Sequence, residues 1–227
     1  GHVLDNGYGY IKIRYFLPND ATPDPAKSFA ELLTDFQNQS VKGLIVDVRD
    51  NPGGEDDLVA AIASLLTTEK RHYEYVSYYS RMTGRFELNA GETRTLTPKK
   101  SGFKGKTAIL INNNTASSGE GLPLLLKGQS QMAIVGFTST NGSFGVVSSP
   151  IEVNMPEGYL LRFPDGRSLG ANYAIQGDSD GKGRGGAEPD IQVPLNDETF
   201  TAKYIDGQDV ELKAAVEALE KMGPARL

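Results

Sequence analysis

Three short apolar runs occur along the chain, and turn residues bound each of them. Residues 43–49 form an almost continuous apolar run, which is typical of a strand covered on both faces of a sheet. Residues 106–112 form a second run that is rich in β-formers, and residues 132–136 predict a third buried strand. Residues 8–16 instead alternate apolar and polar side chains, which predicts a first strand with one exposed face.

Helices and hairpins are predicted between and after these strands. Residues 29–36, 55–66 and 209–222 have helical patterns. The second of these helices carries acidic residues in its first turn, where the helix dipole favours them. Residues 73–98 predict a hairpin, and further hairpins are predicted from Val146 onward. Repeated strand-then-helix units predict an α/β fold with one core.

The turn between the second strand and the helix after it carries candidate catalytic chemistry. It reads Asn-Thr-Ala-Ser-Ser-Gly-Glu over residues 114–120, and the apolar run 122–126 continues as a helix. Ser117 is then expected at the helix N-terminus, where unpaired N–H groups stabilise an oxyanion. The same residues fit an alternative, because Ser117 and Glu120 have the spacing of a capping box, in which each side chain satisfies a backbone N–H.

Composition limits the classes of protein to which the chain can belong. With 227 residues, 38% of them hydrophobic, it can bury a large core, and we expect a single domain over residues 1–227. A net charge of −6, without a cluster of basic and aromatic residues, argues against a nucleic-acid partner. The sequence has no apolar run of membrane length and no signal peptide. The absence of cysteine excludes thiol catalysis, zinc–thiolate sites and disulfides.

Histidine is scarce, which limits the choice of a catalytic base. The two histidines are His2, at the chain end, and His72, in an alternating segment typical of a strand. A serine–histidine–acid triad therefore has poor candidates, and a lysine or a carboxylate is the expected base for Ser117. Residues 177–188 form a long glycine-dense loop, which predicts a functional or mobile element. Its acids Asp178 and Asp180 suggest a calcium site but do not follow the helix–loop–helix calcium pattern, so no metal and no cofactor are predicted.

Four sequence segments occur in a characteristic order. They are Gly9-Tyr10-Ile11-Lys12-Ile13, Leu44-Ile45-Val46-Asp47-Val48-Arg49-Asp50-Asn51-Pro52-Gly53-Gly54, Thr115-Ala116-Ser117-Ser118-Gly119-Glu120 and Gly186-Ala187-Glu188-Pro189-Asp190-Ile191-Gln192-Val193. Over nearly its whole length the chain thereby resembles the S41 peptidases, the family of the C-terminal processing proteases and the tricorn core. The second and third segments together are specific, whereas either glycine-rich end alone is a weak signal.

The resemblance implies a fold, an activity and a set of site residues. The fold is the ClpP/crotonase-like spiral of ββα units, which is of α/β class, with an added β-hairpin region in this chain. The activity is serine-type hydrolysis of a peptide or protein substrate, with Ser117 as nucleophile. The implied oxyanion hole consists of the backbone N–H of Ser118 and that of Gly53 or Gly54, donors that need no reorganisation when charge develops.

The chain departs from the resemblance where the base is expected. The processing proteases carry a lysine in a Thr-x-Gly-Lys-Gly segment, and here Ser143 stands at that position. The tricorn-like branch uses a histidine from the first strand and a glutamate near the C-terminal Pro-Asp motif, and here Lys12 and Gly183 fall at those places. Lys12 is therefore the candidate base, acting as a desolvated amine, and Lys127 is a weaker candidate.

Two alternatives from other classes stay open. In the first, the site has decayed, and the cleft binds an extended peptide by strand addition without cutting it. In the second, the chain is an acyl-CoA enzyme of the crotonase type, which shares the spiral architecture. The sequence shows no site that would bind the phosphates of CoA, which argues against the second alternative.

The resemblance also sets expectations about the rest of the protein. We expect the chain to be a trimmed core from which any leader or preceding domain was removed, since it begins almost on a strand. No PDZ domain is visible, so substrate selection is expected to rest on a part outside this chain. An extracytoplasmic location in a bacterium is expected, and the sequence leaves the oligomeric state open.

Overall fold

The computed structural model describes residues 1–177 and 185–223. Its strands are β1 (His2–Val3), β2 (Gly9–Lys12), β3 (Leu44–Asp47), β4 (Arg71–Ser80), β5 (Arg85–Leu96), β6 (Thr107–Leu110), β7 (Met132–Gly136), β8 (Gly145–Val146), β9 (Ile151–Asn154), β10 (Leu160–Phe163), β11 (Gly166–Leu169) and β12 (Ile191–Gln192). Its helices are α1 (Pro25–Asn38), α2 (Asp56–Ser64), α3 (Ser118–Leu126), α4 (Asp197–Phe200) and α5 (Val210–Lys221). A 3-10 turn at Pro156–Gly158 and a π-helical turn at Thr201–Ile205 complete the regular structure of these residues.

A six-stranded sheet, in the order β1-β2-β3-β6-β7-β12, forms the centre of the fold. Its pairings are parallel except that of β1 with β2. Leu44 and Val46 of β3 pack into one core cluster together with α1, α2 and α3, whereas Ile45 packs into a second cluster with Leu219 of α5. The prediction of a strand covered on both faces is therefore confirmed, because helices lie over each face of the sheet.

A second sheet, in the order β5-β4-β11-β8, is antiparallel, and β9 and β10 form a separate hairpin. Strands β4 and β5 are the hairpin that the sequence predicts over residues 73–98, and β9 with β10 is one of the later hairpins. Side chains tie the second sheet to α2. The hydroxyl of Tyr73 donates to Asp56 at 2.9 Å, and Nε of Arg94 donates to Asp57 at 2.6 Å.

The boundaries of the helices differ from the prediction where a capping residue determines the start of the helix. Helix α1 begins at Pro25, earlier than the predicted start at residue 29. Asp24 accepts a hydrogen bond from the N–H of Lys27 at 2.9 Å, and proline fits the first helical position, so the helix extends back to this cap. Helix α4 and the π-helical turn after it carry no buried residues and were not predicted, because an exposed segment has no apolar periodicity to reveal it.

The first strand is shorter than predicted, and the segment after it reaches the glycine turn. Strand β2 ends at Lys12, and Phe16 forms an isolated parallel bridge with Gly54. The N–H of Phe16 donates to the carbonyl of Gly53, and the N–H of Glu55 donates to the carbonyl of Phe16, each at 2.8 Å. Because the Phe16 side chain is fully buried, this bridge anchors the glycine turn to the core.

Candidate active site

Two loops meet at the carboxyl ends of the parallel strands β3 and β6, which end in register. The N–H of Ala116 donates to the carbonyl of Asn51 at 2.9 Å, and the hydroxyl of Thr115 donates to the carbonyl of Val48 at 2.8 Å. These bonds hold the loop that contains Ser117 against the loop that contains the glycine turn. The carboxyl edge of a parallel sheet is the usual place for a binding site in α/β proteins.

Ser117 has a backbone conformation that an ordinary helix cap does not adopt. Its φ of 52° and ψ of −132° lie where L-residues are rare, whereas N-cap residues normally have extended backbone. Such strain costs about 1–3 kcal/mol and occurs at functional sites, including the turn that presents the nucleophile in α/β-hydrolases. Ser117 and Glu120 occupy both positions of a capping box, and Glu120 accepts from the N–H of Ser117 at 3.2 Å. The N–H of Glu120, which a capping serine hydroxyl would accept, instead donates to the carbonyl of Ser117 at 2.8 Å, so within the described residues the hydroxyl makes no capping hydrogen bond.

Gly53 lies directly against the turn that carries Ser117. A β-carbon at Gly53 would lie 2.8 Å from Cβ of Ser117 and 3.0 Å from the backbone nitrogen of Ser118, so a side chain here would displace the turn. Its φ of 107° also favours glycine. The N–H of Gly53 donates to the side-chain oxygen of Asn51 at 2.8 Å. Gly53 therefore leaves room for the serine, but its own N–H is already engaged.

Gly54 presents its N–H and carbonyl toward α3. The bridge to Phe16 uses the carbonyl of Gly53 and the N–H of Glu55, so the groups of the residue between them point the opposite way. In agreement, the hydroxyl of Ser118 donates to the carbonyl of Gly54 at 2.9 Å. Among the described residues, neither the N–H of Gly54 nor that of Ser118 has an acceptor. Of the predicted oxyanion donors, Gly54 and Ser118 thus keep an available N–H.

Ser117 opens into a cleft of about 490 Å³. Its walls come from the two loops, the segment before β8 and the strands β10 and β11. The lining residues are Pro52, Ala116, Ser117, Gly142, Ser143, Phe144, Gly145, Val147, Arg162, Pro164, Gly166, Arg167, Ile175 and Gln176. The described part of this lining contains no histidine, lysine, aspartate or glutamate, so it offers no side chain that accepts a proton near neutral pH.

The segment before β8 is held in place by Glu120, whose side chain is fully buried. Glu120 accepts from the N–H groups of Gly142 and Ser143, each at 2.8 Å. It also accepts from the hydroxyls of Thr140 at 2.6 Å and Ser143 at 3.3 Å. Sequence reasoning found Glu120 only as a capping residue, because these partners follow it at a distance along the chain. Ser143 is thereby fixed in the cleft lining, at the position where the resemblance implies a lysine.

Lys12 is not among the residues that line this cleft. Its ammonium donates to Asp47 at 3.2 Å and to the carbonyl of Arg49 at 2.7 Å, and its side chain lines a different cavity of about 400 Å³ beside α1. These contacts occupy the amine, so the geometry does not favour Lys12 as the base, a role that stays a prediction. Lys127, the weaker candidate, pairs with Asp190 at 3.3 Å.

The remaining candidates from the sequence lie outside the cleft or outside the described residues. His72 is on β4, where its Nε2 lies 3.3 Å from the carbonyl oxygen of Leu169. Asp178, Asp180 and Gly183 lie outside the described residues. In the part of the chain that the structure describes, no group of three or more potential metal ligands occurs. The helices of that part are all too short or too polar to cross a membrane.

An ion-pair network lies at the end of β3, next to the site. The guanidinium of Arg49 donates to both oxygens of Asp47 and both oxygens of Asp209, at 2.7–3.1 Å. It also lies 3.5 Å from Glu211, whose other oxygen accepts from Lys203 at 2.6 Å. The side chains of Asp47 and Glu211 are each 1% exposed. Arg49 therefore neutralises buried carboxylates and joins α5 to the sheet.

Arg49→Met is expected to lower the free energy of unfolding by about 3 kcal/mol, because it leaves buried carboxylates without their shared cation. Burial raises the pKa values of Asp47 and Asp209, but the hydrogen bonds and charge of Arg49 outweigh burial and lower both. Such acids contribute stability above their unfolded pKa of 3.8, and this contribution is lost as the pH falls through the folded value. Below about pH 4, the variant should therefore lose less stability than the wild type.

Urea unfolding followed by circular dichroism, from about pH 7 to about pH 3, measures both effects. Lys27→Met is the matched control, because Lys27 and Glu31 form an exposed pair at 3.9 Å. Loss of such a pair should change the free energy of unfolding by less than about 0.5 kcal/mol. Equal destabilisation of the two variants, or an unchanged acid dependence in Arg49→Met, would contradict the assigned role of Arg49.

Comparison with known proteins identifies one matching family and several similar proteins. A model of the family described as peptidase family S41 matches residues 7–193. Carboxy-terminal processing protease CtpA of Bacillus subtilis (strain 168) is 26% identical over 137 residues, which are 60% of this chain and 26% of that protein. The nisin-resistance protein of Lactococcus lactis subsp. lactis is 29% identical over 157 residues, which are 67% of this chain and 48% of that protein.

A solved structure agrees with the fold. The crystal structure of a proposed peptidase from Parabacteroides merdae ATCC 43184 matches with a TM-score of 0.71 at 22% identity, over 97% of this chain and 64% of that chain. This likeness confirms the predicted α/β fold class with its added hairpins. The chain spans about a quarter of CtpA and about half of the nisin-resistance protein.

Proposed function

The chain belongs to peptidase family S41, and from this membership we propose that it hydrolyses peptide bonds through an acyl-enzyme on Ser117. The observation that carries the proposal is the strained turn that places Ser117 in the cleft, beside the available N–H groups of Gly54 and Ser118. Strain of this kind persists only where the surroundings enforce it. Here the close approach of Gly53 and the hydrogen bond to Glu120 do so, whereas an ordinary cap has extended backbone.

In the proposed reaction, the Ser117 oxygen attacks the carbonyl carbon of a bound peptide. Negative charge develops on the carbonyl oxygen, where the N–H groups of Ser118 and Gly54 and the N-terminus of α3 stabilise it. The carbon–nitrogen bond then breaks, and the departing amine takes up the proton that Ser117 has lost. Water hydrolyses the ester, which releases the carboxylic acid and restores the hydroxyl of Ser117. Each well-placed donor of an oxyanion hole contributes roughly 10²–10³-fold to the rate.

The chemical step is proposed to be slow, because the described lining of the cleft offers no side chain to take the serine proton. Ser143 stands at the place of the lysine, and a hydroxyl does not act as a base near neutral pH. A positioned base contributes about 10²–10⁴-fold to a rate. We therefore expect this chain to be slower by about that factor than a peptidase that carries the lysine.

A second candidate function is peptide binding without cleavage. It is favoured by Ser143, whose N–H and hydroxyl are both directed to Glu120, at 2.8 and 3.3 Å. The amine on which the processing proteases rely is thus replaced by a group that stabilises the loop. Both candidates share a peptide or protein ligand, and they differ in the reactivity of Ser117.

Labelling with a fluorophosphonate separates the two candidates. A peptidase site is expected to form one covalent adduct on Ser117, which intact-mass measurement and peptide mapping locate. The reaction is followed across roughly pH 6 to 10, the range in which histidine and lysine side chains titrate. Protein unfolded in urea is the control, since it reports the reactivity of an ordinary serine. No adduct at any pH, or equal labelling of the unfolded chain, would favour binding without cleavage.

We also propose that the chain acts outside the cytoplasm of a bacterium. The relatives that match come from Bacillus subtilis and Lactococcus lactis, and a sequence without cysteine suits an exported protein. Fractionation of the source cells, with an antibody against this chain, tests the location. Its recovery with cytosolic markers would contradict the proposal.

A further inference from the structure

The cleft beside Ser117 has a charge opposite to that of the protein as a whole. The chain carries a net charge of −6, yet the charged side chains in the described lining of the cleft are both arginines, Arg162 and Arg167. They lie on β10 and β11, which are consecutive strands joined by a short turn. A cleft lined by one sign of charge concentrates ligands of the other sign.

Arg167 is held in place by its strand and by an aromatic ring. It lies between Gly166 and Ser168, which are buried, so its own side chain is on the exposed face of β11, and Arg167 is one of the residues that line the cleft. The guanidinium carbon of Arg167 lies 3.6 Å from the centre of the Phe86 ring. The guanidinium therefore lies over the ring, and within the described residues no acceptor binds the N–H groups at its edge. That edge is the geometry that binds a carboxylate through two parallel hydrogen bonds.

Within the described residues, the nearby acidic side chains leave this edge open to a ligand. Glu152 pairs with Arg162 across the hairpin at 3.4 Å, but the side chains are 51% and 58% exposed, and such pairs contribute little. Asp165, in the turn between β10 and β11, accepts from the N–H groups of Ser148 at 2.9 Å and Ser149 at 2.7 Å. Burial raises the pKa of Asp165, but these donors and, to a smaller extent, the charge of Arg162 outweigh it and lower the pKa overall. The carboxylate of Asp165 is thus bound by the segment between β8 and β9, and that of Glu152 is easily displaced from Arg162.

We propose that Arg167, with Arg162 beside it, binds a carboxylate of the substrate, so that the cleft selects peptides with a negative charge near Ser117. The carboxylate belongs either to an acidic side chain or to the C-terminus of the peptide, and the recognition chemistry is the same. The inference rests on the proposed function, since it specifies the substrate class of the same cleft. The ring of Phe86 pre-orders Arg167, which reduces the entropy lost on binding.

Peptide binding to a Ser117→Ala chain tests the inference without relying on cleavage. Short fluorescein-labelled, alanine-based peptides carry one glutamate at successive positions, and each has a partner with glutamine. A further pair ends in a free carboxylate or an amide. Fluorescence anisotropy gives the Kd of each peptide. In at least one pair, the charged member should bind roughly 10- to 100-fold more tightly, and that pair identifies the source of the carboxylate.

Arg167→Gln, made in the same Ser117→Ala chain, should remove most of this preference. Arg85→Gln is the matched control, because Arg85 is an exposed arginine on β5 outside the cleft lining, and its loss changes the net charge equally. Phe86→Leu is a second probe, since it keeps the charge of Arg167 but removes the ring that orders it. The preference of Phe86→Leu for the charged peptide should fall between those of Arg167→Gln and Arg85→Gln. Circular dichroism and the urea midpoint establish that each variant is folded.

The outcomes separate this inference from the proposed function. Equal binding within every pair, or an equal loss of preference in Arg85→Gln, overturns the carboxylate site. A preference that depends on Arg167, in a wild-type chain that neither labels nor cleaves, overturns the proposed hydrolysis and supports the carboxylate site. Cleavage of acidic and neutral peptides with the same kcat/KM supports the hydrolysis and overturns the carboxylate site.

Discussion

Ser117→Ala is expected to lower kcat for peptide hydrolysis by more than roughly 1,000-fold, because it removes the oxygen that forms the acyl-enzyme. The fold should be retained. Within the described residues the hydroxyl makes no capping hydrogen bond, so the free energy of unfolding should change by less than about 0.5 kcal/mol. Hydrolysis of a quenched fluorescent peptide measures the first effect, and urea unfolding measures the second.

Ser40 provides a matched control for the backbone strain. Its φ is 53°, close to the 52° of Ser117, but it is exposed beyond the end of α1 and outside the cleft lining. Ser40→Ala should leave kcat unchanged. Glycine relieves the strain at either position, so Ser40→Gly and Ser117→Gly should each stabilise the fold by about 1 kcal/mol.

These glycine variants separate stability from function. Ser117→Gly should be more stable than the wild type and inactive, whereas Ser40→Gly should be more stable and fully active. This contrast is expected if the strain at Ser117 is retained for the reaction rather than for folding. Full activity of Ser117→Ala would show instead that the nucleophile lies elsewhere in the chain.

The sequence predicted the parts of the fold whose signals are local. Strands β3 and β6 were recognisable because helices cover both faces of the sheet, and double burial leaves a continuous apolar run. The turn at Gly53 and Gly54 was recognisable because both residues have positive φ, which side chains disfavour. In each case the physical constraint acts on neighbouring residues and is therefore visible in a short stretch of sequence.

The details that sequence reasoning missed depend on partners far along the chain. From the sequence, Gly53 and Gly54 were equivalent candidates for the second oxyanion donor, and the structure distinguishes their N–H groups. The side chain of Asn51 accepts a hydrogen bond from the N–H of Gly53. The bridge to Phe16 orients the N–H of Gly54 toward α3. Lys12 was a candidate base from its strand position. An alternating pattern cannot show that a buried aspartate and a carbonyl oxygen hold its ammonium.

The contacts of Glu120 explain why residues 114–120 fit both a helix cap and a turn that presents a nucleophile. Its local contact is that of a cap, since it accepts from the N–H of Ser117 at 3.2 Å. Its distant contacts hold the loop of Ser143, which lines the same cleft as Ser117. The cap and the site are therefore parts of one arrangement, in which a buried carboxylate joins the start of α3 to the loop where a base is expected.

Ser143→Lys is expected to raise the rates of peptide hydrolysis and fluorophosphonate labelling by roughly 10²–10⁴-fold. Ser143 lines the cleft into which Ser117 opens, and the resemblance to the processing proteases places their lysine here. The new amine would extend into a partly apolar cleft that also contains Arg162 and Arg167. Desolvation and the like charge of the arginines lower the pKa of a lysine, whereas the carboxylate of Glu120 raises it. The fraction of neutral amine that these effects leave is the fraction able to accept the serine proton.

The gain should depend on pH in a characteristic way. Only the neutral amine acts as a base, so the rate of Ser143→Lys should rise with pH through the pKa of the new lysine and then level. Ser143→Met has a side chain of similar length without an amine, and its rate should not exceed that of the wild type. Ser143→Lys combined with Ser117→Ala should be inactive, because the amine acts through the serine. If Ser143→Lys is no faster than Ser143→Met, position 143 is not where this cleft lacks its base, and another group takes the proton of Ser117.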